Sequence, residues 1–145
     1  MADQATETMT VQATPERCFE VVTDFEHYPE WAGFIRQVTV EKRDEEGRGL
    51  IVNYRTAAMG RSTSYTLLYD YSDAPHTLAW VLVNGDIMRK LDGSYVFKPG
   101  EDGSTDVVYH LEADLKVPLP GFVKDRARGF ILHTALKDLK GRVES

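Results

Sequence analysis

The chain has 145 residues, a formal net charge of −6 at pH 7, 42% hydrophobic residues and 28% charged residues, the size and balance of one globular domain, residues 1–145, with a single substantial core. The acidic balance excludes a general nucleic-acid binder, which needs a basic face to displace counterions, and electrostatic docking on an anionic membrane. One cysteine excludes an intrachain disulfide, and without a CxxC or a Cys/His cluster neither a metal site nor a redox cofactor is expected.

Met1 to Met9 is polar and lacks the apolar run of a signal peptide, and no stretch reaches bilayer length, so a cytoplasmic protein without integral membrane association is expected. Residues 1–5 read as a frayed end and Thr6 to Val11 as a short strand. Thr14-Pro15-Glu16 starts a helix: a hydroxyl at the N-cap, proline at the first helical position and an acid in the first turn. That helix runs to about Thr23 and turns Phe19, Val22 and Cys18 inward. Cys18 reads as a small buried side chain, with no base or cation cluster near it to make a thiolate. Asp24 to Trp31 is aromatic-rich and broken by Pro29, which fits a turn or two of helix packing Phe25, Tyr28 and Trp31 onto the fold.

From Ile35 the apolar period changes to two. Strands are expected over Ile35–Lys42, Leu50–Met59, Ser62–Tyr71, Leu78–Val83, Ile87–Lys98 and Val107–Leu115, joined by short turns such as Met59-Gly60-Arg61 and Asn84-Gly85-Asp86. Leu78–Val83 is apolar on both faces, the pattern of a central strand. Pro120 to Val143 then reads as one long helix. Phe122, Gly129, Leu132, Ala135, Leu136, Leu139 and Val143 share a face, with Ile131 at its edge, and Lys137, Lys140, His133 and Arg126 lie roughly opposite. Asp125 and Arg128 point the same way as the leucines. A helix on a solid core would not bury a charged pair there, whereas a helix roofing a pocket would tolerate one. One strand, two short helices, about six hairpin-linked strands and a long helix give an α+β fold with an antiparallel sheet.

The order of elements, with Asp24, Glu26, Tyr28, Pro29 and Trp31 followed by Val38 and Val40, resembles the START-like, helix-grip (SRPBCC) superfamily, in its polyketide cyclase/dehydrase and coenzyme Q-binding branch. Leu91-Asp92-Gly93-Ser94-Tyr95-Val96-Phe97 is similar to that branch's L-x-G-x-W-x-F stretch, with Tyr95 where tryptophan is usual. The turn Asp102-Gly103-Ser104-Thr105 leading into Val107, Tyr109 and Leu111 is a third match. The resemblance implies a helix-grip fold: a curved antiparallel sheet of six or seven strands around the C-terminal helix, with an elongated cavity for a lipid, quinone or polyketide-like molecule.

The cavity candidates are Tyr54, Tyr65, Trp80, Tyr95, Asp125, Arg128 and Leu132. Arg128, held by Asp125, would donate to a ligand carbonyl or carboxylate, or the two would form an ion pair at the rim. Tyr54, Tyr65, Tyr69, Tyr95 and Tyr109 are strand tyrosines able to present a hydroxyl inward, Tyr65 and Tyr95 foremost because they sit mid-strand in apolar phase. His27, His76, His110 and His133 are scattered, and no Ser/His/Asp spacing, phosphate loop or metal motif is present. The expectation is a non-catalytic binder or carrier of a small hydrophobic ligand, a monomer or weak homodimer. An aromatase/cyclase-like lyase, or a protein-interaction module like the relative that associates with ribosomes, are the alternatives.

Overall fold

The computed structural model describes residues 3–58, 61–116 and 120–145, the side chains of residues 3, 58 and 121–125 excepted. The elements are β1 (Asp3–Val11), α1 (Pro15–Thr23), a 3-10 helix (Phe25–Glu30), β2 (Ile35–Arg43), β3 (Gly49–Ala58), β4 (Arg61–Asp70), β5 (Thr77–Gly85), β6 (Met88–Pro99), a short 3-10 turn (Glu101–Gly103), β7 (Thr105–Leu115) and α2 (Gly121–Val143). All seven strands form one antiparallel sheet in the order β1-β7-β6-β5-β4-β3-β2.

The turn chemistry explains the short elements. Thr14 Oγ1 accepts from the Arg17 amide at 3.2 Å, with Pro15 opening α1, and the helix buries Cys18, Val21 and Val22. Burial pushes the Cys18 thiol pKa up, which suits an inert core side chain. In the 3-10 helix, Phe25, Tyr28 and the following Trp31 recur every third residue and so share one face. The Tyr28 hydroxyl donates to the Val22 carbonyl, which ties this helix to α1.

Two readings need correction, and a third holds although its stated ground does not. Asp3 to Ala5 is not frayed: β1 pairs with β7 from Asp3↔Ala113 to Val11↔Thr105. The pairing begins in the polar stretch before Ala5, where no apolar period marks a strand, and further along β1 Val11 is buried in the core with Ala5 and Met9 packed against it. Strand β5 is fourth of seven, and so central, yet Val81 and Val83 on its outer side are 47% and 51% exposed. Its two-sided apolar pattern therefore did not report burial on both faces. Arg61 is the first residue of β4 rather than part of a turn, while Met59 and Gly60 lie outside the described residues.

The sheet bends through register shifts between Thr66 and Leu67 on β4, between Met88 and Lys90 on β6, and at three points on β2. Asp86 pins the β5–β6 hairpin to β4: it bonds the Thr63 hydroxyl and accepts from the amides of Ser64 (3.0 Å) and Ile87 (2.6 Å). Burial alone would raise its pKa, but these bonds outweigh that and lower it. Helix α2 carries two adjacent ridges. Leu132, Leu136, Leu139 and Val143, spaced four, three and four apart, are buried in the core with Val11, Val22 and Val107. Arg128, Ile131, Ala135 and Asp138, spaced three, four and three apart, face the space over the sheet.

Candidate functional site

The concave face of the sheet is paved with aromatic rings because alternate positions on β3 to β7 point inward. Tyr54 on β3, Tyr65 and Tyr69 on β4, Trp80 on β5, Tyr95 on β6 and Tyr109 on β7 all line one cavity of about 480 Å³ beneath α2. The rings touch in sequence: Tyr54–Tyr65 at 5.4 Å, Tyr69–Trp80 at 5.9 Å, Trp80–Tyr95 at 5.5 Å and Tyr95–Tyr109 at 4.6 Å between centroids. Their offset and tilted geometries are those that aromatic quadrupoles favour.

The cavity is closed on one side by Trp31 to Ile35 and above by Ala127, Arg128, Ile131, Ala135 and Asp138. The loop is fastened to the helix at two points. Asp138 Oδ2 accepts from the Gly33 amide at 2.9 Å, and the rings of Phe34 and Phe130 lie 5.7 Å apart. Polar groups on the wall are few: Thr56, Thr63, Arg61, Arg128, Asp114, Asp138 and the phenol hydroxyls. A mostly apolar concavity with a few convergent polar groups is the usual form of a small-molecule site, and its volume falls in the usual range.

Burial raises the pKa of every cavity phenol. The shifts are largest in direction for Tyr28, Tyr54, Tyr69 and Tyr95, where neighbouring tyrosines add to desolvation, and Tyr65 and Tyr109 shift the same way. At neutral pH these groups are uncharged donors. The Tyr54 and Tyr69 hydroxyls bond one another.

Of the residues expected at the site, Tyr54, Tyr65, Trp80, Tyr95 and Arg128 line the cavity. Leu132 does not share that wall: it is 2% exposed and sits on the neighbouring, core-facing ridge of α2. The Asp125 side chain lies outside the described residues. Sequence reasoning missed Tyr28, Trp31, Arg61 and Asp138 as wall residues. Asp138 had a usable signal, since it completes the ridge that begins at Arg128. Tyr69 and Tyr109, named only as possible hydroxyl donors, are in the same strand phase as the chosen tyrosines. No histidine is among the described wall residues. His110 bonds Thr6 at 2.7 Å and His133 bonds Glu7 at 3.0 Å, both between outer side chains. Among the described residues there is no His/Cys/Asp/Glu group fit for a metal and no helix long and apolar enough to cross a membrane.

The family model described as polyketide cyclase / dehydrase and lipid transport matches residues 2–144. A START superfamily protein from Mycobacterium smegmatis is similar in structure, with a TM-score of 0.91, 28% identity and 97% of each chain covered. The Zhui aromatase/cyclase from Streptomyces sp. R1128 superposes with a TM-score of 0.85 at 14% identity, over 99% of this chain and 94% of the other. A protein from Thermus thermophilus does so at 0.83 and 21% identity, over 97% of each chain. At those lower identities the likeness is one of fold. No curated protein matches in sequence.

Proposed function

The chain belongs to the polyketide cyclase/dehydrase and lipid transport family, and we propose that it is a cytoplasmic binder or carrier of a small hydrophobic molecule held between the sheet and α2. The observation that carries this reading is the cavity of about 480 Å³ with a mostly aromatic and aliphatic wall. Burying apolar surface there stabilises a complex by about 25 cal/mol per Å² removed from water. A flat or elongated ligand would lie along the ring array, with its polar end toward Arg61 and Arg128. Native mass spectrometry of the purified protein tests the reading. A discrete adduct lost on denaturation, and recovered by organic extraction, supports it. A bare chain that also takes up no apolar compound opposes it.

A second reading is an aromatase/cyclase-like reaction. Two guanidinium groups, Arg61 and Arg128, share the cavity with neutral phenols, and such donors stabilise an oxyanion as a carbonyl is attacked. The carboxylates of Asp114 and Asp138 are the described wall groups able to take a proton. Conversion of a poly-keto probe, lost in Arg61→Ala with binding retained, would favour this reading. Unchanged probe would favour the carrier.

A further inference from the structure

Six tyrosine hydroxyls surround the cavity, and their hydrogen bonds divide them into two groups. Tyr28 donates to the Val22 carbonyl, and Tyr54 and Tyr69 satisfy each other. Tyr65, Tyr95 and Tyr109 line the same wall, and among the described residues their hydroxyls have no protein partner. Yet no described side-chain oxygen or nitrogen is sealed from accessible space without a hydrogen bond. Their hydroxyls therefore open onto the cavity itself. They come from three strands, β4, β6 and β7, and Tyr95 stands directly opposite Tyr109 in the sheet register with the rings at 17° and 4.6 Å.

A hydrocarbon filling this space would strip these three groups of any partner, and an unsatisfied buried hydroxyl is costly. A ligand with oxygen acceptors at matching places would satisfy them. Burial keeps the phenols protonated and therefore donors, so the complementary group is an oxygen acceptor such as a carbonyl, ether or hydroxyl oxygen. The flat faces of the Tyr54–Tyr65 and Tyr95–Tyr109 pairs favour rings over a flexible chain, because ring stacking adds to area burial.

We propose that the hydroxyls of Tyr65, Tyr95 and Tyr109 determine specificity, selecting a flat ring compound with two or more oxygen acceptors over a hydrocarbon of the same outline. The inference rests on the cavity-binding reading above and deepens it. The hydroxyls act as a filter on a site whose affinity comes from apolar contact, as when a site built to hydrogen-bond a ligand rejects the analogue lacking that group.

The test uses flavone and 2-phenylnaphthalene, which share a shape and differ by a carbonyl and a ring oxygen. Affinities for the full chain are measured calorimetrically, with quenching of the wall residues Trp31 and Trp80 as a second readout. Flavone, the less hydrophobic of the two, is expected to bind more tightly. The triple variant Tyr65→Phe/Tyr95→Phe/Tyr109→Phe should lose about tenfold or more for flavone, a few-fold per hydrogen bond, and bind 2-phenylnaphthalene as well as before or better. If the triple variant does not fold, the three single Tyr→Phe variants carry the test, each against both compounds. Equal or tighter binding of 2-phenylnaphthalene by the native chain overturns the inference alone, as does flavone affinity unmoved by the substitutions. Binding of neither compound overturns the cavity reading and this inference with it.

Discussion

Gly93 is the position where one methyl group tests the geometry of the cavity wall. It pairs with Trp80 on β5 and with Leu111 on β7. A Cβ built there would lie 2.6 Å from the His110 carbonyl oxygen and 2.7 Å from the Trp80 ring. Both are far inside contact distance, and the carbonyl belongs to the sheet ladder and cannot swing aside. The indole, 6% exposed and touching Tyr69, Tyr95 and Tyr109, has only the cavity to move into. Overpacking of this kind costs about 1–3 kcal/mol, with the upper end expected where backbone must shift. Reducing the freedom of the unfolded chain returns about 0.4–1 kcal/mol. Gly93→Ala should therefore lose about 2 kcal/mol, or roughly 6 °C in Tm for a chain of this length. Gly129→Ala is the control. It lies within α2 with no described atom within 4 Å of its Cβ position, and it should gain about 0.5–1 kcal/mol as a helix glycine replaced by alanine. Urea denaturation followed by tryptophan fluorescence measures both. A Gly93→Ala protein as stable as the native one, with unshifted Trp80 emission, would refute the packing described for the wall.

Leu136→Ala, at a fully buried site on the core ridge of α2, should cost about 2–5 kcal/mol with an unchanged denaturant slope. Asp138→Ala removes the acceptor of the Gly33 amide, so hydrogen exchange at Gly33 should accelerate by about tenfold, and Asp138→Asn should restore part of the protection. All seven tyrosines have pKa values raised by burial. The unfolded chain then loses phenol protons first as pH rises above about 10, so stability falls from there upward. Absorbance at alkaline pH should show phenolate only together with loss of near-UV circular dichroism; separate ionisation of most tyrosines in the folded protein would contradict the burial.

Much of the fold is legible in the sequence because local chemistry and tertiary role agree. Thr14-Pro15-Glu16 is a helix start in any context, and the alternation of Tyr65, Leu67 and Tyr69 predicts one inward face whatever packs on it. The site is less legible for a geometric reason. A helix wheel places Leu132, Ala135 and Arg128 on one broad face, but packing splits that face into two ridges: one meets the core and the other meets the cavity. Leu132 falls on the first ridge and Asp138 on the second, a division that depends on where the sheet curves away from the helix. Trp31 follows Phe25 and Tyr28 on one face of the 3-10 helix and packs on the core as that spacing predicts, but like Tyr28 it also borders the cavity, which the spacing does not reveal. The exposed Val81 and Val83 show the converse. Apolar character marks what a strand tolerates and leaves open what covers it.

If the space beneath α2 is where a small molecule binds, filling that space must abolish binding. Ala135 lines it from the middle of the helix while also packing against the core, so Ala135→Phe places a ring in the cavity, and the variant's folded state is checked alongside binding. Native mass spectrometry after incubation with flavone, native chain beside variant, should show a one-ligand adduct for the native chain that is lost in Ala135→Phe while the variant keeps its folded charge-state distribution. An adduct that persists in the filled variant would place the binding elsewhere and contradict the assignment of the cavity as the binding site.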